Sequence, residues 1–163
     1  MANFDEHIVH SKRNLEYLSN INEFINERWD WQVTVCFYSA LHLINAHIAK
    51  KTGRNYLSHT QVEEVLNPFN PLSLGKIDEK TFLSYTKLSH LSRRSRYLLN
   101  ENYVKSDPIH TACLTHSVHF KKAIYHLDVV IDFISNNYGE SFGKIDIKCV
   151  DLKEINFKYF SAR

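Results

Sequence analysis

Two groups of residues in this chain have the types and spacing to handle a phosphate. The first is Ser89-His90-Leu91-Ser92-Arg93-Arg94-Ser95-Arg96-Tyr97, which holds three of the seven arginines. On a helix Arg93 and Arg96 share a face that Asn100 continues, while His90, Arg94 and Tyr97 make the neighbouring face. Guanidinium forks bind phosphate oxygens in bidentate fashion and a tyrosine ring stacks on a base, so the segment suits an RNA or nucleotide contact. The plainer reading is that arginines near a helix C-terminus complement its dipole and stay solvated.

The second group is Arg54-Asn55-Tyr56-Leu57-Ser58-His59, an arginine followed five positions later by a histidine. Metal-independent RNA cleavage uses such a pair: the imidazole moves the proton of a ribose hydroxyl and the guanidinium stabilises charge on the phosphorane. The competing reading is a turn with His59 near the start of a short helix. Tyr38 and His42, four apart, point the same way on a helix, with Trp31 two turns before Tyr38. A buried pair of this kind also serves as a core hydrogen bond.

His116, His119 and His126 fall at spacings of three and seven, but no carboxylate stands where a metal site would need one. No metal and no cofactor are expected. The chain contains no G-x-x-x-x-G-K, G-x-S-x-G, H-E-x-x-H or EF-hand pattern, which removes most support for kinase, serine hydrolase and zinc protease chemistry. Cys36, Cys113 and Cys149 are far apart and odd in number, giving neither a disulfide framework nor a zinc site, so a reducing, cytoplasmic setting is expected. The first residues, with Asp5, Glu6 and two histidines, do not read as a secretory signal.

The elements that must position these residues follow from the breakers. With 163 residues, 44% of them hydrophobic, and only four Gly and three Pro, the chain suits one domain of long helices joined by few turns. Twenty basic against eighteen acidic residues leave a net charge of +2, so any polyanion site depends on local clustering. The first helix is predicted from an Asn3 cap to about Asn26, with Ile8, Leu15, Leu18, Ile21 and Ile25 near one face. The second is predicted from an Asp30 cap to Thr52, stopped by Gly53. Its stretch from Trp31 to Ala49 lacks any Asp, Glu, Lys or Arg, yet carries too many polar groups for a membrane span. Val33, Phe37, Leu41, Ile44 and Ile48 form one stripe on it, and Trp31, Val35, Tyr38, His42 and Asn45 a second, which places this helix in the middle of a bundle.

A short third helix is expected over Thr60 to Leu66 with Ser58 as cap, then a loop over residues 67–76. A fourth follows from about Asp78 to Leu99. A fifth is expected from Pro108, after an Asp107 cap, to Asn136, with Cys113, Phe120, Ile124, Leu127, Ile131 and Ile134 in the core. Beyond Gly139 the alternation at Ile145, Ile147 and Cys149 suits a short strand, which must pair with residues 155–160 as a hairpin, pair with a partner chain, or not form.

The run WQVTVCFYSALHLINA from Trp31, followed by Gly53, Ser58-His59 and Tyr85-x-x-Leu88-x-x-x-Ser92-Arg93-x-x-Arg96-Tyr97, resembles the HEPN domain (higher eukaryotes and prokaryotes nucleotide-binding). It looks most like a small stand-alone prokaryotic branch whose second helix reads W-x-x-x-x-x-F-Y-x-A-x-H; His7 and Asn14 also fit. The resemblance spans roughly residues 4–135 and implies an antiparallel bundle, commonly dimeric, that binds or cuts RNA or nucleotides. Active members are metal-independent ribonucleases with an R-x4-6-H motif, whose letters Arg54, Asn55 and His59 match, although here the motif precedes the short third helix rather than lying on a later one. Such proteins are frequent in toxin–antitoxin and phage-defence systems, often beside a nucleotidyltransferase.

The expectation is therefore an all-α antiparallel bundle of four to five helices over residues 1–138, with a C-terminal extension, strand or hairpin, over 139–163. Its function would be to bind RNA or a nucleotide through Arg93, Arg96, Tyr97, Tyr38 and His42 as a homodimer. In the enzymatic form His59 is the general base and Arg54 or Arg96 the phosphate clamp. The alternative is a non-catalytic interaction module that pairs with a nucleotidyltransferase, an antitoxin or another protein.

Overall fold

The computed structural model describes residues 2–25, 27–56, 58–98, 114–153 and 155–163. Five helices pack together: α1 (Phe4–Phe24), α2 (Trp29–Thr52), α3 (His59–Leu66), α4 (Glu79–Tyr97) and α5 (Ser117–Tyr138). A small two-stranded sheet, β1 (Ile145–Ile147) and β2 (Phe160–Ala162), follows, with a 3-10 turn at Val150–Leu152 between the strands.

The helix starts follow the capping chemistry. Asn3 Oδ1 accepts from the Glu6 amide (2.9 Å) while the Glu6 carboxylate accepts from the Asn3 amide (2.7 Å), closing a reciprocal box on α1. Ser58 and Asp78 cap α3 and α4 through the amides of Gln61 and Thr81. Gly53 ends α2 in the left-handed region at φ 64°, where a side chain would be strained. Asp30 is not the cap of α2: the helix begins one residue before it, and the carboxylate lies in the first turn, where it favours the positive end of the helix.

Helix α2 sits in the centre and packs against α1, α4 and α5. Val33, Cys36, Phe37, Ala40, Leu43, Ile44 and Ile48 are buried on it, but Trp31 and Tyr38 of the expected second stripe are exposed. The buried arc runs instead through small residues such as Ala40 and Ala46, which let neighbouring helices approach closely. No helix among the described residues is long and apolar enough to cross a membrane.

Two further expectations are corrected. Helix α5 begins at Ser117 after an extended His116, rather than near Pro108; Asp107, Pro108 and Cys113 themselves lie outside the described residues. The local reason is α4. Buried Arg94 donates to the Leu114 carbonyl (3.0 Å), and the Thr115 hydroxyl bonds to that of Ser95 (3.1 Å), so this stretch lies along α4 instead of continuing a helix.

The tail strands are parallel, with Ile145 opposite Phe160 and Ile147 opposite Ala162, so no hairpin forms. The connection between them is about a dozen residues, the length a parallel crossover requires. Both ends are pinned to helices. Asn22 of α1 accepts from the Lys148 amide (2.6 Å) and donates to its carbonyl (3.2 Å), while the Asp128 carboxylate of α5 accepts from the Tyr159 amide (2.8 Å).

One buried imidazole joins the loop, the central helix and the end of α5. His47 Nε2 donates to the Gly75 carbonyl (3.0 Å), which leaves Nδ1 to accept from the Tyr138 hydroxyl (2.7 Å). Burial holds its pKa below the usual histidine range, consistent with a neutral ring. Replacing His47 with Leu strands the Tyr138 hydroxyl and the Gly75 carbonyl, and should cost about 2–4 kcal/mol of stability. Urea unfolding measures this; an unchanged midpoint would mean that the tie contributes nothing.

Candidate functional site

The capped start of α3 presents His59 above an aromatic floor. The Phe37 ring of α2 meets the His59 imidazole edge-on at 5.2 Å between centroids, and Tyr85 of α4 lies beneath Phe37 at 6.0 Å. Tyr85 is fully buried, and its hydroxyl has no hydrogen-bond partner among the described residues. Exposed Tyr38 meets Phe37 edge-on at 5.5 Å.

Arg96 stands in the last turn of α4, and its charge acts on His59. Partial burial, then the Arg96 charge, lowers the His59 pKa, while Glu63, one turn along α3, opposes the shift. His59 is therefore held in its neutral form near pH 7. Arg96 is anchored at Nε by the Ser92 carbonyl (3.3 Å), and its guanidinium lies 5.4 Å from the centre of the exposed Tyr97 ring. Arg93 is exposed on the same side of the helix. The arrangement offers guanidinium donors, a neutral imidazole and two accessible phenol rings, a set suited to phosphate, ribose and base.

The arginine five residues before His59 does not share this arrangement. Arg54 is exposed, and its described bond is from its backbone amide to the Thr52 hydroxyl (3.2 Å). Its neighbour Asn55 is drawn the other way: Nδ2 donates to the Ala2 carbonyl (2.9 Å), and Oδ1 faces His7 Nε2 at 3.2 Å. No described contact joins Arg54 to His59; the cation whose charge acts on His59 is Arg96 of α4.

His42 also belongs to a second cluster rather than to Tyr38. Its Nδ1 faces His7 Nδ1 at 3.2 Å, and its ring stacks on His10 at 4.0 Å. Because Asn55 Oδ1 can only accept, His7 donates to it through Nε2. Burial first, then the charges of His10 and His7, pushes the His42 pKa down to about 4.

His116 and His119 sit at the entrance to α5, where the His116 amide donates to His119 Nδ1 (3.0 Å), and His126 faces the Ser84 hydroxyl at 3.2 Å. Among the described residues no group of three His, Cys, Asp or Glu is placed to hold a metal ion. Reading the sequence overlooked Glu63 and His10. Glu63 was accessible from its spacing of four from His59 on one helix; the His10 contact depends on how α1 packs against α2, which no spacing within α1 encodes.

The depressed histidine pKa values set the sign of the acid response. An unfolded imidazole takes its proton near pH 6.5, before folded His42 does, so stability should be full above about pH 6.5 and fall as pH drops toward 4. His42→Gln should reduce the loss of melting temperature between pH 7 and 4.5, because one of the protons that favours unfolding is gone. An equal loss in both proteins would show that His42 does not carry this response.

The chain matches no protein-family model, no curated protein and no solved structure.

Proposed function

We propose that the chain is a HEPN-like RNA- or nucleotide-binding protein, cytoplasmic and homodimeric, of the kind used in toxin–antitoxin or phage-defence systems. The observation that carries the reading is the edge-on packing of His59 from α3 on the Phe37 ring, with an imidazole on which the Arg96 charge of α4 acts. Arg96 and Arg93 would hold phosphate oxygens, and Tyr97 and Tyr38 would stack bases. His42 ties α2 to α1 through His7 and His10.

The enzymatic form of this reading is metal-independent cleavage. Neutral His59 would take the proton of a ribose 2′-hydroxyl as that oxygen attacks the adjacent phosphorus. Arg96, in place of Arg54, would stabilise the added negative charge, and Glu63 would favour the imidazolium that forms. The 5′-oxygen would leave, taking a proton from water, and the other product would end in a 2′,3′-cyclic phosphate.

A second reading is favoured by a different observation. Phe24, Ile25 and Trp31 are exposed where α1 turns into α2, an apolar surface suited to a protein partner such as a nucleotidyltransferase or an antitoxin.

Incubation with a broad RNA panel in EDTA tests the first reading. Cleavage to cyclic phosphate ends, abolished by His59→Ala and retained by Arg54→Ala, is the expected enzymatic result. Arg93→Ala with Arg96→Ala should weaken RNA binding and lower its salt slope by about one for each phosphate that is no longer neutralised. Unchanged affinity and salt slope in that double variant, with a protein copurifying, would replace RNA binding by the interaction module.

A further inference from the structure

The outer edge of β1 is closed at one residue and open at another. The Ile145 amide donates to the Tyr159 carbonyl (2.9 Å) and the Arg163 amide to the Ile147 carbonyl (3.0 Å), so Ile145 and Ile147 turn their backbone groups toward β2. Strand alternation turns those of Asp146 and Lys148 the other way. At Lys148 the Asn22 side chain takes both, accepting from the amide (2.6 Å) and donating to the carbonyl (3.2 Å). At Asp146 neither group has a partner among the described residues. Its carboxylate does not cover them, because Ser161 of β2 and Arg163 after it draw that group across the sheet.

Beside this open stretch lies a groove of about 550 Å³. Leu15, Ser19 and Glu23, four residues apart on α1, stand on its far wall, and residues 141–146 form its near one. Both signs of charge line it, so it does not select a simple ion. What it offers besides backbone is aromatic. Phe142 is held by the Lys12 ammonium, 5.2 Å from its ring centre, and by the Tyr159 ring edge-on at 6.2 Å, and Phe24 is exposed at the groove's end. Because Asn22 reaches Lys148 from α1, that helix stands beyond the edge and bars a second sheet, whereas a single extended chain fits between helix and strand. Phe24 also belongs to the exposed apolar turn with Ile25 and Trp31, so the groove continues into that surface.

We infer that a protein partner inserts an extended segment between α1 and β1, its backbone pairing with the Asp146 amide and carbonyl as Asn22 pairs with Lys148, and an apolar side chain lying against Phe142 and Phe24. An unpaired amide and carbonyl on a strand edge match another strand, which supplies both partners at the same spacing. Affinity comes from the backbone bonds and selectivity from the aromatic wall. The inference rests on the interaction-module reading, for which it names the mode of contact, and it is independent of RNA binding at His59.

A displayed library of short random peptides, selected on the full chain, supplies the probe. A selected peptide should carry an apolar residue among strand formers and bind saturably. Asp146→Pro removes the outward N–H but keeps the ladder to β2, since proline is tolerated where its nitrogen faces away from the ladder. It should weaken the peptide about tenfold or more relative to Asp146→Ala, which removes only the carboxylate. Methylating the peptide's backbone nitrogens one at a time should weaken binding at alternate positions, and serves if the proline variant melts early. Equal affinity of the two folded variants, indifference to methylation, or no saturable peptide would overturn strand addition. A peptide lost with Trp31→Asp but indifferent to Asp146→Pro would also overturn it, while leaving the interaction-module reading in place.

Discussion

A central helix that carries polar side chains among its apolar ones imposes the condition that organises this bundle. Buried hydrogen-bonding groups are costly unless they are paired, so several polar groups on α2 select what may pack against it. Gln32 receives Asn22 of α1 at 2.8 Å, and the Ser39 carbonyl receives the Ser11 hydroxyl at 3.0 Å. His42 takes His7, and His47 takes both Gly75 and Tyr138. Apolar packing would hold helices at this spacing in several registers; these pairs allow one. Asn22 extends the selection to the tail, since it also grips both backbone groups of Lys148.

The same condition decides the arrangement around His59. His7 needs an acceptor, and Asn55 supplies it, so the turn after α2 is pulled toward α1. The chain must then cross back to begin α3 at Ser58, which directs His59 toward α2 and α4. A five-residue interval in sequence thereby becomes a division between two clusters. The residue that completes the His59 set lies 37 positions away on α4, and it is brought there by tertiary packing, not by local spacing.

Where the local signal was strong, the fold was legible. Asn3, Ser58, Asp78 and Gly53 mark helix ends that the structure reproduces within a residue or two, because a cap acts through bonds to its own neighbours. The expected start of α5 near Pro108 failed for the converse reason. What holds Leu114 and Thr115 out of a helix is Arg94 and Ser95, twenty residues earlier, and no window along the chain contains both partners. The direction of β2 was equally hidden, since alternation fixes which faces a strand presents but not which way its partner runs. Trp31 and Tyr38 were legible as a stripe but not as an exposed one, because two aromatic faces on one helix look alike until the neighbours are placed.

The near-neutral average charge conceals how α4 is built. Its buried side is made largely of short residues, Thr81, Ser84, Ser89, Ser92 and Ser95, several of which return hydrogen bonds to the helix itself or to its neighbours. These short side chains alternate with the larger buried ones, Tyr85, Leu88 and Leu91, that fill the core. The exposed cations sit on its flanks, Arg96 where its charge acts on His59 of α3 and Lys87 beside α5. Arg94 is the exception that tests the rule. It is buried, and its guanidinium has to borrow a backbone carbonyl from beyond the helix, which ties the Leu114 stretch to α4. One helix, with one buried side, thus exposes positive charge on either edge, Lys87 on one and Arg93 with Arg96 on the other.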